Sequence, residues 1–245
     1  MTAIQRYYDT LTDLLSRVWE TQAPAMERAA RALADTLKSG GMIYTFGTGH
    51  GHLLALEIFY RAGGLAKVCP ILDERLMLHI SAAGSTLEER REEIVDELLK
   101  KYPVSQGDAV IILSNSGRNA APVLLAHKAR QRGAFVIALT SLRHSSSVSS
   151  RNSLGLRLFE AADLVLDNGG IPGDAALQFP DGSFVGPTST AVGAAMLQAM
   201  VCRVKEIALS EGVPAEFFVS SNIDGGDEIN NRLIEKYKDQ IPGLL

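Results

Sequence analysis

The first forty residues carry apolar side chains at helical spacing. Leu11, Leu14, Leu15 and Val18 recur every three or four positions, and Trp19 extends that face. A second stripe, Met26, Ala29, Ala30, Leu33 and Leu37, comes after Pro24, a residue that the first turn of a helix tolerates. Ser39-Gly40-Gly41 then stops the pattern with residues that accept positive φ. The reading is a helical hairpin over residues 1–40, packed on the rest of the chain or on a partner subunit.

From residue 42 the texture changes to short apolar runs, each followed by a loop and most by a helical stretch. The runs are Met42–Phe46, Lys67–Leu72, Ala109–Leu113, Phe135–Leu139 and Ala162–Leu166, with helices expected at about 52–62, 88–101 and 120–132. Near-continuous apolar strands alternating with helices predict a parallel sheet covered on both faces. Five strands joined by right-handed crossovers make a doubly wound α/β sheet. A long helix at about 188–210 and a shorter one near 226–238 complete one domain, with an α/β core over 41–210 and a helical tail over 211–245.

Ligands of such sheets bind beyond the carboxyl ends of the strands, where the strand order reverses. Those ends carry the unusual residues here: Gly47–His52, Asp73–Thr86, Ser114–Asn119, Thr140–Ser150 and Asp167–Thr190. The opposite ends are plain, as in Gln106-Gly107-Asp108.

Composition adds exclusions. With 245 residues, 46% of them hydrophobic, the chain can fill one sizeable core. A net charge of −4 leaves no basic excess to neutralise a nucleic-acid backbone. An anionic ligand must therefore be held by local devices, such as helix N-termini and aimed hydroxyls. Cys69 and Cys202 sit in apolar runs far apart, which reads as two buried, inert thiols. The first residues lack the apolar core of a signal peptide, and no run of about 18 apolar residues suggests a membrane span. The expected compartment is the cytoplasm.

The loop Ser114-Asn115-Ser116-Gly117-Arg118-Asn119 leaves a strand and enters a helix with Pro122 in its opening turn. Free N–H groups and the positive end of the helix dipole make an anion site there. Ser114, Ser116 and Asn119 add donors without adding charge. The plainer reading, that Ser116 or Asn119 caps the helix, accounts for one polar residue of the run. Gly47-Thr48-Gly49-His50-Gly51-His52 is a second loop, whose alternating glycines imply tight turns or a close backbone approach. It fits neither the dinucleotide fingerprint nor the Walker A pattern.

These motifs together resemble the SIS (sugar isomerase) domain family. The Ser-Asn-Ser-Gly-Arg-Asn segment is similar to its Ser-x-Ser-Gly-x-Ser/Thr phosphate loop, and Phe46–Gly51 to its first glycine loop. Gly186-Pro187-Thr188-Ser189-Thr190-Ala191-Val192-Gly193 is similar to the segment opening its late helix. The likeness spans about residues 40–210 and points to a bacterial phosphosugar-binding subgroup related to phosphoheptose isomerase and N-acetylmuramic acid 6-phosphate etherase. It implies a flavodoxin-like sheet and a homodimer or homotetramer with sites near subunit interfaces. It implies phosphate contacts from Ser114, Asn115, Ser116, Gly117 and Asn119. Sugar contacts are implied from Gly47, Thr48, Gly49, His50, Ser189 and Thr190. Two positions depart from the pattern: Asn119 stands where Ser or Thr is common, and Gly51 where Ser is usual. The stretch Gly169–Val185 is longer than in many members, and reads as a lid or as a surface excursion.

Aldose–ketose isomerisation needs a desolvated base near the sugar and an acid/base pair for ring opening. Glu57, in the apolar stretch Leu53–Phe59, is the expected base; its alternative is a surface pair with Arg61 four residues on. His52 or His79 would assist ring opening, since three of the five histidines (His50, His52, His79) fall in site loops. His144 could approach the ligand or cap a turn, and His127 reads as surface. No cofactor is expected. The resemblance leaves room for zinc on His50, His52, Glu57 and His79, although no diagnostic spacing demands it. Glu88-Glu89-Arg90-Arg91-Glu92-Glu93 reads as a solvated or oligomer-facing run opening a helix. The leading expectation is a phosphosugar isomerase. The alternatives are an amino-sugar phosphate lyase or etherase, and a module that senses a phosphosugar without converting it.

Overall fold

The five apolar runs become five parallel strands in a computed structural model that describes residues 1–245. They are β1 (Ile43–Gly47), β2 (Val68–Pro70), β3 (Ala109–Leu113), β4 (Phe135–Thr140) and β5 (Leu164–Asp167), in the order β2-β1-β3-β4-β5. Every residue of β1 and β3 is buried, which explains why neither shows the polar alternation of a half-exposed strand. One face is covered by α1 (Ala3–Lys38), α2 (Gly51–Glu57) and α8 (Ser189–Glu211). The other is covered by α4 (Ile94–Lys101), α5 (Ala120–Gln131), the short α7 (Leu158–Ala161) and α9 (Gly226–Tyr237). The remaining short helices, α3 (Ala82–Glu88) and α6 (Leu142–Ser146), lie in the loops at the carboxyl end of the sheet. This is the expected doubly wound, flavodoxin-like α/β architecture. Gly47 stands beside Leu113, so the two candidate loops leave neighbouring strands on one rung, where the order reverses.

The N-terminal hairpin is corrected: residues 3–38 form one helix that runs through Pro24. Proline lacks the N–H that would reach the Glu20 carbonyl, but both residues face solvent, where water satisfies that carbonyl. The gain from continuity is larger. Leu14 and Val18 before the proline, and Met26, Ala29, Ala30, Leu33, Ala34 and Leu37 after it, bury against one core. Trp19 does not join that face and is 39% exposed.

Two further expectations change. The helix expected at 88–101 is α4 alone, over 94–101; α3 ends at Glu88, and the charged run fills the turn between the two. The stretch 169–185 is neither a bare lid nor an idle excursion. It contains the antiparallel hairpin β6 (Ala175–Gln178) and β7 (Phe184–Pro187), which α1 holds in place. Arg6 Nη2 donates to the Gln178 carbonyl at 2.9 Å and Tyr7 Oη to that of Pro187 at 2.7 Å. Of the two thiols, Cys69 is buried and pushed up to about 12 by desolvation, whereas Cys202 is exposed on α8.

Candidate functional site

A cleft of about 370 Å³ opens at the carboxyl end of β1 and β3, bounded by the first glycine loop, the β3–α5 loop and the start of α8. No lysine or arginine lines it. Any attraction for an anion must come from neutral donors and helix ends, as the net charge required.

The β3–α5 loop supplies such donors. Ser114 Oγ accepts from the Gly117 N–H at 3.2 Å, which leaves its own proton free to donate. The Asn115 carbonyl accepts from the Thr140 hydroxyl and the Ser141 N–H, both at 3.1 Å, and fixes the loop to β4. The N–H groups of Asn115, Ser116, Arg118 and Asn119 make no hydrogen bond inside the chain. Asn119 is the N-cap residue of α5, yet its side chain makes no capping bond, so the plain capping reading fails for it and the loop N–H groups ahead of the helix stay free. Gly117 adopts φ +55°, and a Cβ there would lie 2.9 Å from Ser145 Oγ and 3.1 Å from Leu158 Cβ. Its glycine is required by the fold of the cradle rather than by contact with the cleft. Arg118 points away, donating through Nε to the Ser149 carbonyl at 2.9 Å.

The first glycine loop lends Thr48, Gly49 and His50 to the cleft. Gly47 serves packing instead: a Cβ would sit 2.2 Å from the Gly51 carbonyl oxygen. A Cβ on Gly51 would sit 2.5 Å from the Leu113 carbonyl oxygen, so this backbone has no room for the serine usual at that position. Ser189 and Thr190 reach the cleft from the N-terminus of α8.

The sequence pattern does not single out Glu89, which stands on the cleft wall. Thr48 Oγ1 donates to its Oε2 at 2.6 Å and Asn119 Nδ2 to its Oε1 at 2.6 Å. Its carbonyl accepts from the Ala121 N–H at 2.9 Å, which docks it on the first turn of α5. Burial pushes its carboxyl above the ordinary range, against the lowering effect of Thr48, Arg90, Arg151 and Asn119. One N–H of the Asn119 amide, expected to donate to the phosphate, is engaged with Glu89, and its Oδ1 is buried without a partner. His144 also lines the cleft, with Nδ1 buried and unpartnered. Burial holds its imidazole below the usual value, opposed by Asp174 and assisted by Arg118.

Glu57, His52 and His79 stand outside this cleft. Glu57 Oε1 lies 3.1 Å from Arg61 Nη1 and accepts from Gln198 Nε2 at 3.1 Å. His52 is buried on α2, its imidazole lowered by desolvation and then by His79. His79 is exposed. No group of three or more His, Cys, Asp or Glu side chains gathers as a metal site, so the set named for zinc does not fit one here. No helix is long and apolar enough to cross a membrane.

Comparison with known proteins agrees with this fold. A SIS domain model matches residues 6–141. The UPF0309 protein lin2794 of Listeria innocua is 40% identical over 98% of this chain and 98% of its own. Among solved structures, phosphoheptose isomerase GmhA from Neisseria gonorrhoeae matches with a TM-score of 0.57, covering 83% of this chain and 97% of that one. The Vibrio vulnificus NanR protein complexed with ManNAc-6P matches with a TM-score of 0.53, covering 99% of this chain and 71% of that one. Both are 15% identical and speak to the fold alone. By its family match and its full-length relatives, the chain belongs to the SIS domain family, among the UPF0309 proteins.

Proposed function

We propose that this protein binds a phosphorylated sugar and interconverts its aldose and ketose forms by proton transfer. The phosphate takes the open N-terminus of α5, with the hydroxyls of Ser114 and Ser116 and the free N–H groups of the loop as donors. The observation that carries catalysis is Glu89, a desolvated carboxylate held by two neutral donors in the same cleft. It takes the proton from the hydroxyl-bearing carbon next to the carbonyl, giving an enediolate; the hydroxyl proton passes to the former carbonyl oxygen, and Glu89 returns its proton to the former carbonyl carbon. Neutral His144 handles the ring oxygen. Thr48 and Asn119 act as positioning residues for Glu89. The working form is a cytoplasmic homodimer or homotetramer that needs no cofactor.

The test is proton exchange. Aldose and ketose 6-phosphates and sedoheptulose 7-phosphate are incubated with the protein in D2O, and deuterium at C2 is read by NMR. No exchange with any of them ends the isomerase reading. The fold likeness to the NanR protein complexed with ManNAc-6P supports phosphosugar binding alone, and a second reading is a sensor that binds without turnover. Tight binding with no exchange, unaltered by Glu89→Gln, would select it.

A further inference from the structure

Two helix N-termini meet the cleft. Ahead of α5 the loop N–H groups of Asn115, Ser116, Arg118 and Asn119 are unpaired and no side chain caps the helix, while its Ala121 N–H is taken by the Glu89 carbonyl. That of α8 already holds the chain's own carboxylate at its first N–H groups. Asp174 Oδ1 accepts from the N–H groups of Thr188 at 3.1 Å and Ser189 at 2.9 Å, and Oδ2 accepts from the Ser189 hydroxyl at 2.5 Å. Asp174 reaches this place from the loop before β6, with φ +67°, one of two non-glycine residues in the left-handed region. Gly173 beside it has φ +81°. A left-handed backbone at a non-glycine residue persists only where the surroundings hold it, and here they hold a carboxylate against a helix end.

The cleft lining contains two carboxylates, Glu89 and Asp174, and no lysine or arginine. The free N–H groups of the β3–α5 loop receive the phosphate, and at the α8 end a second anion would meet the charge of Asp174. Because Ser189 spends its hydroxyl proton on Asp174, it meets a ligand as an acceptor, which suits a sugar hydroxyl and not a second anionic oxygen.

We infer that the cleft takes sugars bearing a single phosphate and no other anionic group, and that Asp174 is the residue imposing this selection. The inference rests on the phosphosugar reading above and narrows its substrate class. It excludes sugar bisphosphates, and it excludes sugars with a carboxylate side arm, such as the N-acetylmuramic acid 6-phosphate of the lyase alternative.

Calorimetry on the full chain tests it with three probes: N-acetylglucosamine 6-phosphate, N-acetylmuramic acid 6-phosphate and fructose 1,6-bisphosphate. The expected result is binding of the first, and at least tenfold weaker binding of the other two. Asp174→Asn removes the charge with a residue that tolerates positive φ and keeps an acceptor for the helix end. It should close most of that gap, read as the ratio of affinities between the probes on the same variant. Asp174→Gly, which adopts the same φ without strain, should act likewise and covers a failure of the asparagine variant to fold. Equal binding of all three probes by the unaltered protein overturns the inference and leaves the phosphosugar reading standing. So does a gap that persists in folded Asp174 variants. Failure of every phosphosugar to bind, these and those of the exchange panel alike, overturns both.

Discussion

Glu57 and Glu89 are both glutamates near the first glycine loop, and the fold treats them differently. Glu57, at the end of α2, is compensated: a guanidinium lies four residues on, and Gln198 donates to it from α8. Glu89 has no ion pair and is desolvated, with a hydroxyl and an amide in direct contact and Arg90 and Arg151 acting at a distance. A carboxylate whose pKa is raised by desolvation is poised to take a proton up. Local apolar sequence is therefore a poor guide to desolvation. Glu57 sits among leucines and pairs with Arg61; Glu89 sits among charges and is half-buried on the cleft wall.

Replacing each carboxylate by its amide separates the two most directly. Glu89→Gln should lower turnover about 10²- to 10⁴-fold while leaving phosphosugar affinity within a few-fold. The reverse outcome, loss of turnover with Glu57→Gln and not with Glu89→Gln, returns the base to α2. A second readout needs no substrate. A carboxyl raised in the folded state binds more protons there than in the unfolded chain. Its contribution to stability is complete below its ordinary value near 4.5 and is lost as pH rises through its folded pKa. Glu89→Gln removes that loss, so its Tm should gain on the unaltered protein across that window.

Ser116→Ala separates holding from chemistry. Its hydroxyl has no partner inside the chain and lines the cleft. Removing a hydrogen bond to a charged group should weaken phosphosugar binding by roughly 10- to 100-fold, about 1.5–3 kcal/mol. Activity per bound complex should change little, and calorimetry beside single-turnover rates reads both. If Ser116→Ala lowers the single-turnover rate as Glu89→Gln does, the two residues are not divided in this way.

Thr48→Val has a smaller and more specific effect. The Thr48 hydroxyl favours the charged form of Glu89, so its loss raises the carboxyl further. The base must be ionised, and the acid limb of kcat/KM should therefore move to higher pH, with the plateau largely kept. A limb that stays in place would show that Glu89 does not set it.

The fold was legible in the sequence wherever burial is repetitive. Parallel strands covered on both faces leave unbroken apolar runs, and β3 and the start of β4 fall where those runs lie. Pro24 misled because its rule is local, while continuity of α1 is decided by a stripe buried on both sides of it. The β6–β7 hairpin is exposed, with only Leu177 buried, and leaves no alternation to read. In the site, the β3–α5 loop was legible because its chemistry is backbone chemistry fixed by turn residues. Glu89 was not. Its neighbours in the run behave as the pattern says: Glu88 pairs with Arg91, and Glu92 accepts from Ser153. What sets Glu89 apart is contact with Thr48 and Asn119, 41 and 30 residues away in the chain, and periodicity carries no such information. Asp174 had a partial signal, an aspartate beside Gly173 just ahead of a Ser-Thr helix start, but its capping of α8 spans 15 residues of loop and hairpin.

Arg61→Ala gives the smallest effect and the sharpest control. Arg61 is about half exposed and Glu57 about a quarter, so their pair is screened by water and is worth roughly 0–1 kcal/mol. Gln198 stays to hold Glu57 after the arginine is gone. Stability should drop by no more than that, and proton exchange on a bound phosphosugar should keep its rate and its pH profile. If the rate changes tenfold instead, or its acid limb moves, then Glu57 is coupled to the reacting atoms despite its distance from this cleft. The contact would then come from a neighbouring subunit, and the same measurement on dilute, dissociated protein would lose it. An unchanged profile leaves Glu57 as the carboxylate whose charge the fold has already answered, and Glu89 as the one left to act.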